Sequence, residues 1–182
     1  MRTHWQGRVG FLGLGNVLWG DDAAGVCLGR NLAAAGVPEV SVAGTSPERW
    51  LARREFAGLD HLDLLDAVEM GASPGAAALL DASEMRSRFP QCSTHKLSLG
   101  LLAQWIEHEG RTRAWTLGIQ PGTLAAASPA HLGAQSPQPG CEGCPACSLT
   151  PAVRATVECL RTLVVEAGRS RSPVTAPELL PS

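Results

Sequence analysis

Three side chains in this sequence have the chemistry of a divalent-metal site: Asp22, Asp66 and His95. Two carboxylates and one imidazole, with coordination positions left open, suit a transition-metal ion. Asp22 follows Asp21 in GFLGLGNVLWGDDAAGV, the run from Gly10 to Val26, where an apolar segment and a glycine turn give way to a helix. One carboxylate is enough to cap a helix, so the second is available for chemistry. A helix N-terminus also favours a carboxylate in its charged, ligating form. Asp66 closes the apolar run HLDLLD, and His95 opens a helix in STHKLSL. Each also has an ordinary reading. Asp21 or Asp22 caps its helix, Asp66 caps the turn after its strand, and His95 is a cap or a surface group.

The elements that must position these residues follow from the apolar pattern. Val9–Leu14 is a short apolar run ended by glycine, which predicts a buried parallel strand. A helix is expected from Asp22 to about Ala35, with Gly36 as its stop. Val40–Val42 reads as a second strand closed by Gly44 and Thr45. Ser46, Pro47 and Glu48 predict a helix start with Ser46 as N-cap and Pro47 at the first helical position. His61–Val68 reads as a third strand and Ala76–Leu80 as a further one. Apolar spacing predicts a helix from His95 to Glu109, with Trp105 in the core and Gly110 as its stop. Ala114–Ile119 is another strand. Thr150 and Pro151 open a last helix with Val153, Val157, Leu160 and Val164 on one face. Strands alternating with helices predict one α/β domain with a mainly parallel sheet. In such sheets the ends of Val9–Leu14 and His61–Val68 share the carboxyl edge, where sites form.

A chain of 182 residues with 45% hydrophobic content fits one domain with a full core. A net charge of −2 gives no reason to expect nucleic acid or an anionic membrane as partner. No run reaches the roughly 18 apolar residues of a membrane span, and no signal-peptide pattern precedes the first strand. A soluble cytoplasmic protein is the expectation. Residues 1–168 are expected to form the domain, with an irregular Cys-rich insertion at about 125–149 and a disordered tail over 169–182.

Cys141, Cys144 and Cys147 form a C-x-x-C-x-x-C run inside that insertion. In a reducing compartment this spacing points to metal or redox chemistry rather than a disulfide. Three thiolates need a fourth ligand to close a zinc or iron–sulfur site. His131 is the nearest nitrogen and Cys159 a distant sulfur; the alternative is a loop whose thiols do nothing specific. The G-x-G of GLGN points weakly to a dinucleotide site, since Leu18 replaces the third glycine and acids follow where a pyrophosphate would sit. Ser93 and Thr94 lie near His95 with nothing in the sequence to orient a nucleophile. Trp19, directly before the acids, is either buried or part of a peptide-binding cleft.

These residues resemble one known family, the hydrogenase maturation proteases. The resemblance rests on GLGNVLWGDDAAGV, on Gly44-Thr45, on LLDAV around Asp66, on S-x-H-x-L at Ser93, His95 and Leu97, and on LTPAV before the last helix. The pieces run in family order from Val9 to Gly168. The family implies a phosphorylase/hydrolase-like three-layer sandwich, a twisted, mostly parallel sheet with helices on both faces. It implies an endopeptidase, of an aspartyl-type peptidase family, that removes a short C-terminal extension from the nickel-loaded precursor of a nickel–iron hydrogenase large subunit. Its functional positions fall on Asp22, Asp66 and His95, as contacts to the substrate's nickel and as the catalytic set. Cleavage would proceed by the metal polarising a carbonyl or activating water, or by Asp22 or Asp66 acting as general base. A nickel-dependent checkpoint module that holds the precursor without cutting it is the alternative. The CEGCPAC run is not a motif of the family.

Overall fold

The interior strand β1, Val9–Leu14, is buried along its whole length. It lies between β2, Val40–Gly44, and β3, His61–Ala67, and is parallel to both. Covered on both faces, it has no use for alternating polar residues. β3 in turn pairs in parallel with β5, Arg113–Ile119. β4, Ala77–Asp81, completes the sheet as an antiparallel edge strand on β5. The strand order is β2-β1-β3-β5-β4. The computed structural model describes residues 4–5, 7–53, 56, 58–88, 98–125 and 149–169.

Helices cover both faces, as expected of a three-layer sandwich. One face carries α1, Ala24–Ala34, and α5, Pro151–Arg169, which pack on each other. Their apolar stripes, including Leu28, Leu32, Val153, Val157, Leu160 and Val164, close a core over Phe11, Leu65 and Leu117. The other face carries α2, Pro47–Leu51, α3, Ala82–Arg88, and α4, Leu99–Glu109. Here Leu51, Met85, Leu99, Leu102 and Ile106 cover Leu12, Leu62 and Leu64. Among the described residues no helix is long and apolar enough to cross a membrane.

Local chemistry explains the ends of these elements. α1 stops in a Schellman motif: Gly36 N–H donates to Ala33 O and Val37 N–H to Leu32 O, with Gly36 at φ +76°. α3, which the apolar pattern did not reveal, opens on a reciprocal capping box. Glu84 N–H donates to Asp81 Oδ1 at 2.8 Å and Asp81 N–H to Glu84 Oε2 at 3.2 Å. Ser46 takes the N-cap position of α2, with Pro47 at its start, but its side chain makes no capping bond.

Trp105 departs from expectation. It is 41% exposed, as is its neighbour one turn back, Leu101, at 53%. Leu99, Leu102, Ala103 and Ile106 are the buried stripe of α4, and successive residues rotate by about 100°. That stripe turns Leu101 and Trp105 to the far side of the helix.

Candidate functional site

Asp22 is positioned by a tight assembly at the exit of β1. A 3-10 turn, Gly20–Ala23, precedes α1, so the helix expected from Asp22 begins in the tighter form. Gly15, at φ +118°, lies so close to this turn that a Cβ there would collide with the Asp22 carbonyl oxygen. Only glycine combines that φ with that approach. Asn16 N–H donates to Asp22 Oδ2 at 2.7 Å, and Asp22 N–H donates to Trp19 O at 3.0 Å. Asn16 Oδ1 accepts from Leu18 N–H at 3.0 Å, bracing the turn between them. α1 then presses onto the sheet through glycine. A Cβ on Gly25 would lie 2.6 Å from Leu14 O and closer still to Leu65 O. Asp22 therefore stands over the carboxyl ends of β1 and β3, and the residue is 2% exposed.

The same geometry disposes of a dinucleotide at GLGN. The Asn16 N–H that would face a pyrophosphate at this turn is already bonded to the protein's own carboxylate.

Asp21, next to Asp22, does something different from capping. The 3-10 turn has Trp19 as N-cap and no side-chain capping bond. The buried Asp21 carboxylate instead reaches two remote segments. Oδ2 accepts from Gly122 N–H at 2.8 Å, Thr123 N–H at 3.1 Å and Thr150 Oγ1 at 2.9 Å, and Oδ1 accepts from Thr150 N–H at 2.6 Å. Thr150 immediately precedes α5, whose positive dipole end also favours this charge. Four donors satisfy a carboxylate fully, so Asp21 is committed to structure.

Asp66 lies one residue from the end of β3, opposite Gly118 of β5, and is fully buried. Its Oδ1 accepts from Ala67 N–H at 2.9 Å. By the two-residue period of a strand it shares the face of Leu62 and Leu64, the side covered by α2–α4. The structure thus brings Asp22 and Asp66 to one edge, at the exits of adjacent parallel strands. Among the described residues no group of three His, Cys, Asp or Glu could hold a metal ion. His95, the third residue expected at the site, lies outside the described residues, four positions before Leu99. So do Ser93, Thr94, His131, Cys141, Cys144 and Cys147. Cys159 is described, free and exposed on α5.

One residue unnoticed in the sequence, Gln120, completes the edge, beside Leu18 and Trp19. The buried Gln120, directly after β5, accepts on Oε1 from Met70 N–H at 2.7 Å and Ala72 N–H at 3.2 Å. Its Nε2 donates to Glu69 Oε1 at 2.8 Å and to Pro121 O at 3.2 Å. Leu18 and Trp19 are 59% and 50% exposed beside Asp22. A second buried carboxylate of β3, Asp63, lies away from the edge. It accepts from Trp5 Nε1 at 2.6 Å and bonds His4 Nε2 at 2.9 Å, tying down the N-terminal segment. The cue in the sequence was an acid inside an apolar strand, which needs a partner when buried.

Comparison with known proteins agrees with this architecture. No family model matches the chain. Hydrogenase 3 maturation protease of Escherichia coli is 32% identical over 110 residues, 59% of this chain and 69% of the relative. The endopeptidase HycI of Escherichia coli superimposes with a TM-score of 0.63 at 25% identity, over 85% of this chain and 87% of that one. The hydrogenase maturating endopeptidase HybD of Escherichia coli gives 0.62 at 25% identity, over 90% and 93%. The NiFe hydrogenase maturation protease HycI of Thermococcus kodakarensis shares the fold, with a TM-score of 0.69 at 22% identity over 89% and 92%. By sequence and fold together, this chain belongs to the hydrogenase maturation protease family and is a protease.

Proposed function

We propose that this protease removes the C-terminal extension from a nickel-loaded precursor of a nickel–iron hydrogenase large subunit, with Asp22, Asp66 and His95 contacting the nickel of that substrate. The observation that carries the reading is the division of labour between the two adjacent acids. Asp21 is consumed by four hydrogen bonds to Gly122, Thr123 and Thr150. Asp22 is held in place by Asn16 N–H at the strand edge it shares with Asp66. Carboxylate and imidazole are suitable ligands for nickel. Reading the metal in the substrate makes cleavage conditional on metal loading. Leu18 and Trp19, exposed beside Asp22, offer apolar surface to the precursor.

Hydrolysis adds water across the scissile peptide bond and passes one proton to the departing amine. The substrate nickel polarises the carbonyl or the water, or Asp22 or Asp66 takes the water proton as general base. The test is mass spectrometry of nickel-loaded and nickel-free precursor after incubation with the protease and with its Asp22→Ala and His95→Ala variants. The expected result is loss of one C-terminal peptide from the loaded precursor alone, and no loss with either variant. Processing retained by both variants, or equal processing of the nickel-free precursor, overturns the reading. Binding of a loaded precursor with no shortened product would favour a checkpoint role.

A further inference from the structure

We propose that the four residues leaving β5, Gln120–Thr123, are the positioning element of the site, holding the Asp22 arm and the Asp66 arm at once. The proposal rests on the reading of Asp22 and Asp66 as the nickel-contacting pair. On the Asp66 side, the Gln120 side chain gathers Glu69, Met70 and Ala72 through three hydrogen bonds of 2.7–3.2 Å. Its backbone adds two more, from Gly75 N–H to Gln120 O at 2.9 Å and from Gln120 N–H to Ala76 O at 2.8 Å. The segment after Asp66 is therefore fastened from its start to its entry into β4. On the Asp22 side, Gly122 and Thr123 donate to the Asp21 carboxylate, and Asp21 N–H donates back to Thr123 O at 3.0 Å. Asp21 is covalently next to Asp22, so fixing one fixes the other.

Gly122 is where the two arms meet. A Cβ there would stand 3.2 Å from Thr150 Oγ1, 3.3 Å from Asp21 Oδ2 and 3.3 Å from Pro74 Cβ. The turn is thus wedged between the Asp66 loop and the Asp21 clip with no slack. Gln120 is 3% exposed and Asp21 fully buried, so each of these bonds is shielded from water on one side. Groups that orient ligands from behind typically change metal affinity or activity by about 10- to 100-fold when removed.

The experiment compares full-length Gln120→Leu, Asp21→Asn and the double variant with wild type and Asp22→Ala. Processing of nickel-loaded precursor is followed well below each variant's melting temperature, and kcat and KM are separated. Each single variant is expected to lower kcat by about 10- to 100-fold, with KM changed less than about threefold. Because either change spoils the same two-armed geometry, the double variant should lose less than the product of the single losses. A kcat within twofold of wild type in both single variants, or losses that multiply, overturns the proposal. Should a variant not fold, Thr150→Val and Glu69→Ala each remove one acceptor or donor and are judged by the same kcat and non-additivity criteria. An active Asp22→Ala removes the nickel-contact reading and this proposal with it. An inactive Asp22→Ala beside fully active frame variants removes the frame alone.

Discussion

Gly25→Ala sets two physical rules against each other. By intrinsic propensity, alanine in a helix is better than glycine by about 1 kcal/mol, and Gly25 lies inside α1 with no positive φ to defend. Packing says the opposite. The added methyl would stand 2.6 Å from Leu14 O, with Leu65 O closer still. These are backbone atoms of two central strands, so no side chain can rotate away. Reaching ordinary contact with Leu14 O alone requires a shift of at least 0.8 Å, from 2.6 to 3.4 Å. Overpacking of this kind costs about 1–3 kcal/mol in cores that can adjust, and rigid backbone belongs at the upper end. The net expectation is a loss of about 2 kcal/mol, or about 4–8 °C in melting temperature for a chain of this size. Because the 3-10 turn with Asp22 runs directly into α1, the displacement also moves the site. Misplacement near 1 Å can reduce rate about 100-fold. Thermal melting and precursor processing, the latter at a temperature where the variant is folded, measure the two effects separately. A variant that melts at or above wild type and processes normally would refute the claim that close backbone approach at Gly25 seats the site.

Trp5→Phe keeps an aromatic ring but removes the 2.6 Å hydrogen bond to the buried Asp63 carboxylate. Bonds to charged groups are worth about 1.5–3 kcal/mol, so urea unfolding should show a loss in that range with processing unchanged in the folded protein. Trp105→Ala, although it deletes the largest side chain type, should cost under about 1 kcal/mol, against about 3–5 for a buried tryptophan. A loss in the larger range would mean that Trp105 is covered in solution.

The parts of the fold that the sequence disclosed are those where one physical demand dominates. β1 and β3 are covered on both faces, so VGFLGL is wholly apolar and in HLDLLDA the leucines point to both sides, with Asp63 and Asp66 as the buried exceptions. The stripe of α5 is a clean helical repeat, and its four expected residues are all buried. α4 has two apolar stripes, and composition alone could not say which one the sheet would take. Helical spacing puts Trp105 on an apolar face with Leu101, whereas the register of Leu99, Leu102, Ala103 and Ile106 decides which face is buried. α3 was missed because it is short; its signal was the D-x-x-E pattern at Asp81–Glu84, a capping rule rather than a periodicity.

At the site the legible part was the number of acids, not their allocation. A local rule says that one of two adjacent carboxylates caps the helix they open. Neither does: the 3-10 turn has no side-chain cap. Asp21 bonds instead to groups more than 100 residues away in sequence. Asp22 bonds back to Asn16 in the turn before it. No window of sequence contains Thr150 and Asp21 together, so the first of these assignments could not be read locally. What makes it physically necessary is topology. β5 and α5 return to the exit of β1 with N–H groups at Gly122, Thr123 and Thr150 that lie outside the helix and strand ladders, and the buried Asp21 carboxylate needs donors of that kind. One carboxylate, that of Asp21, meets all three, and the adjacent Asp22 is left to bond back to Asn16.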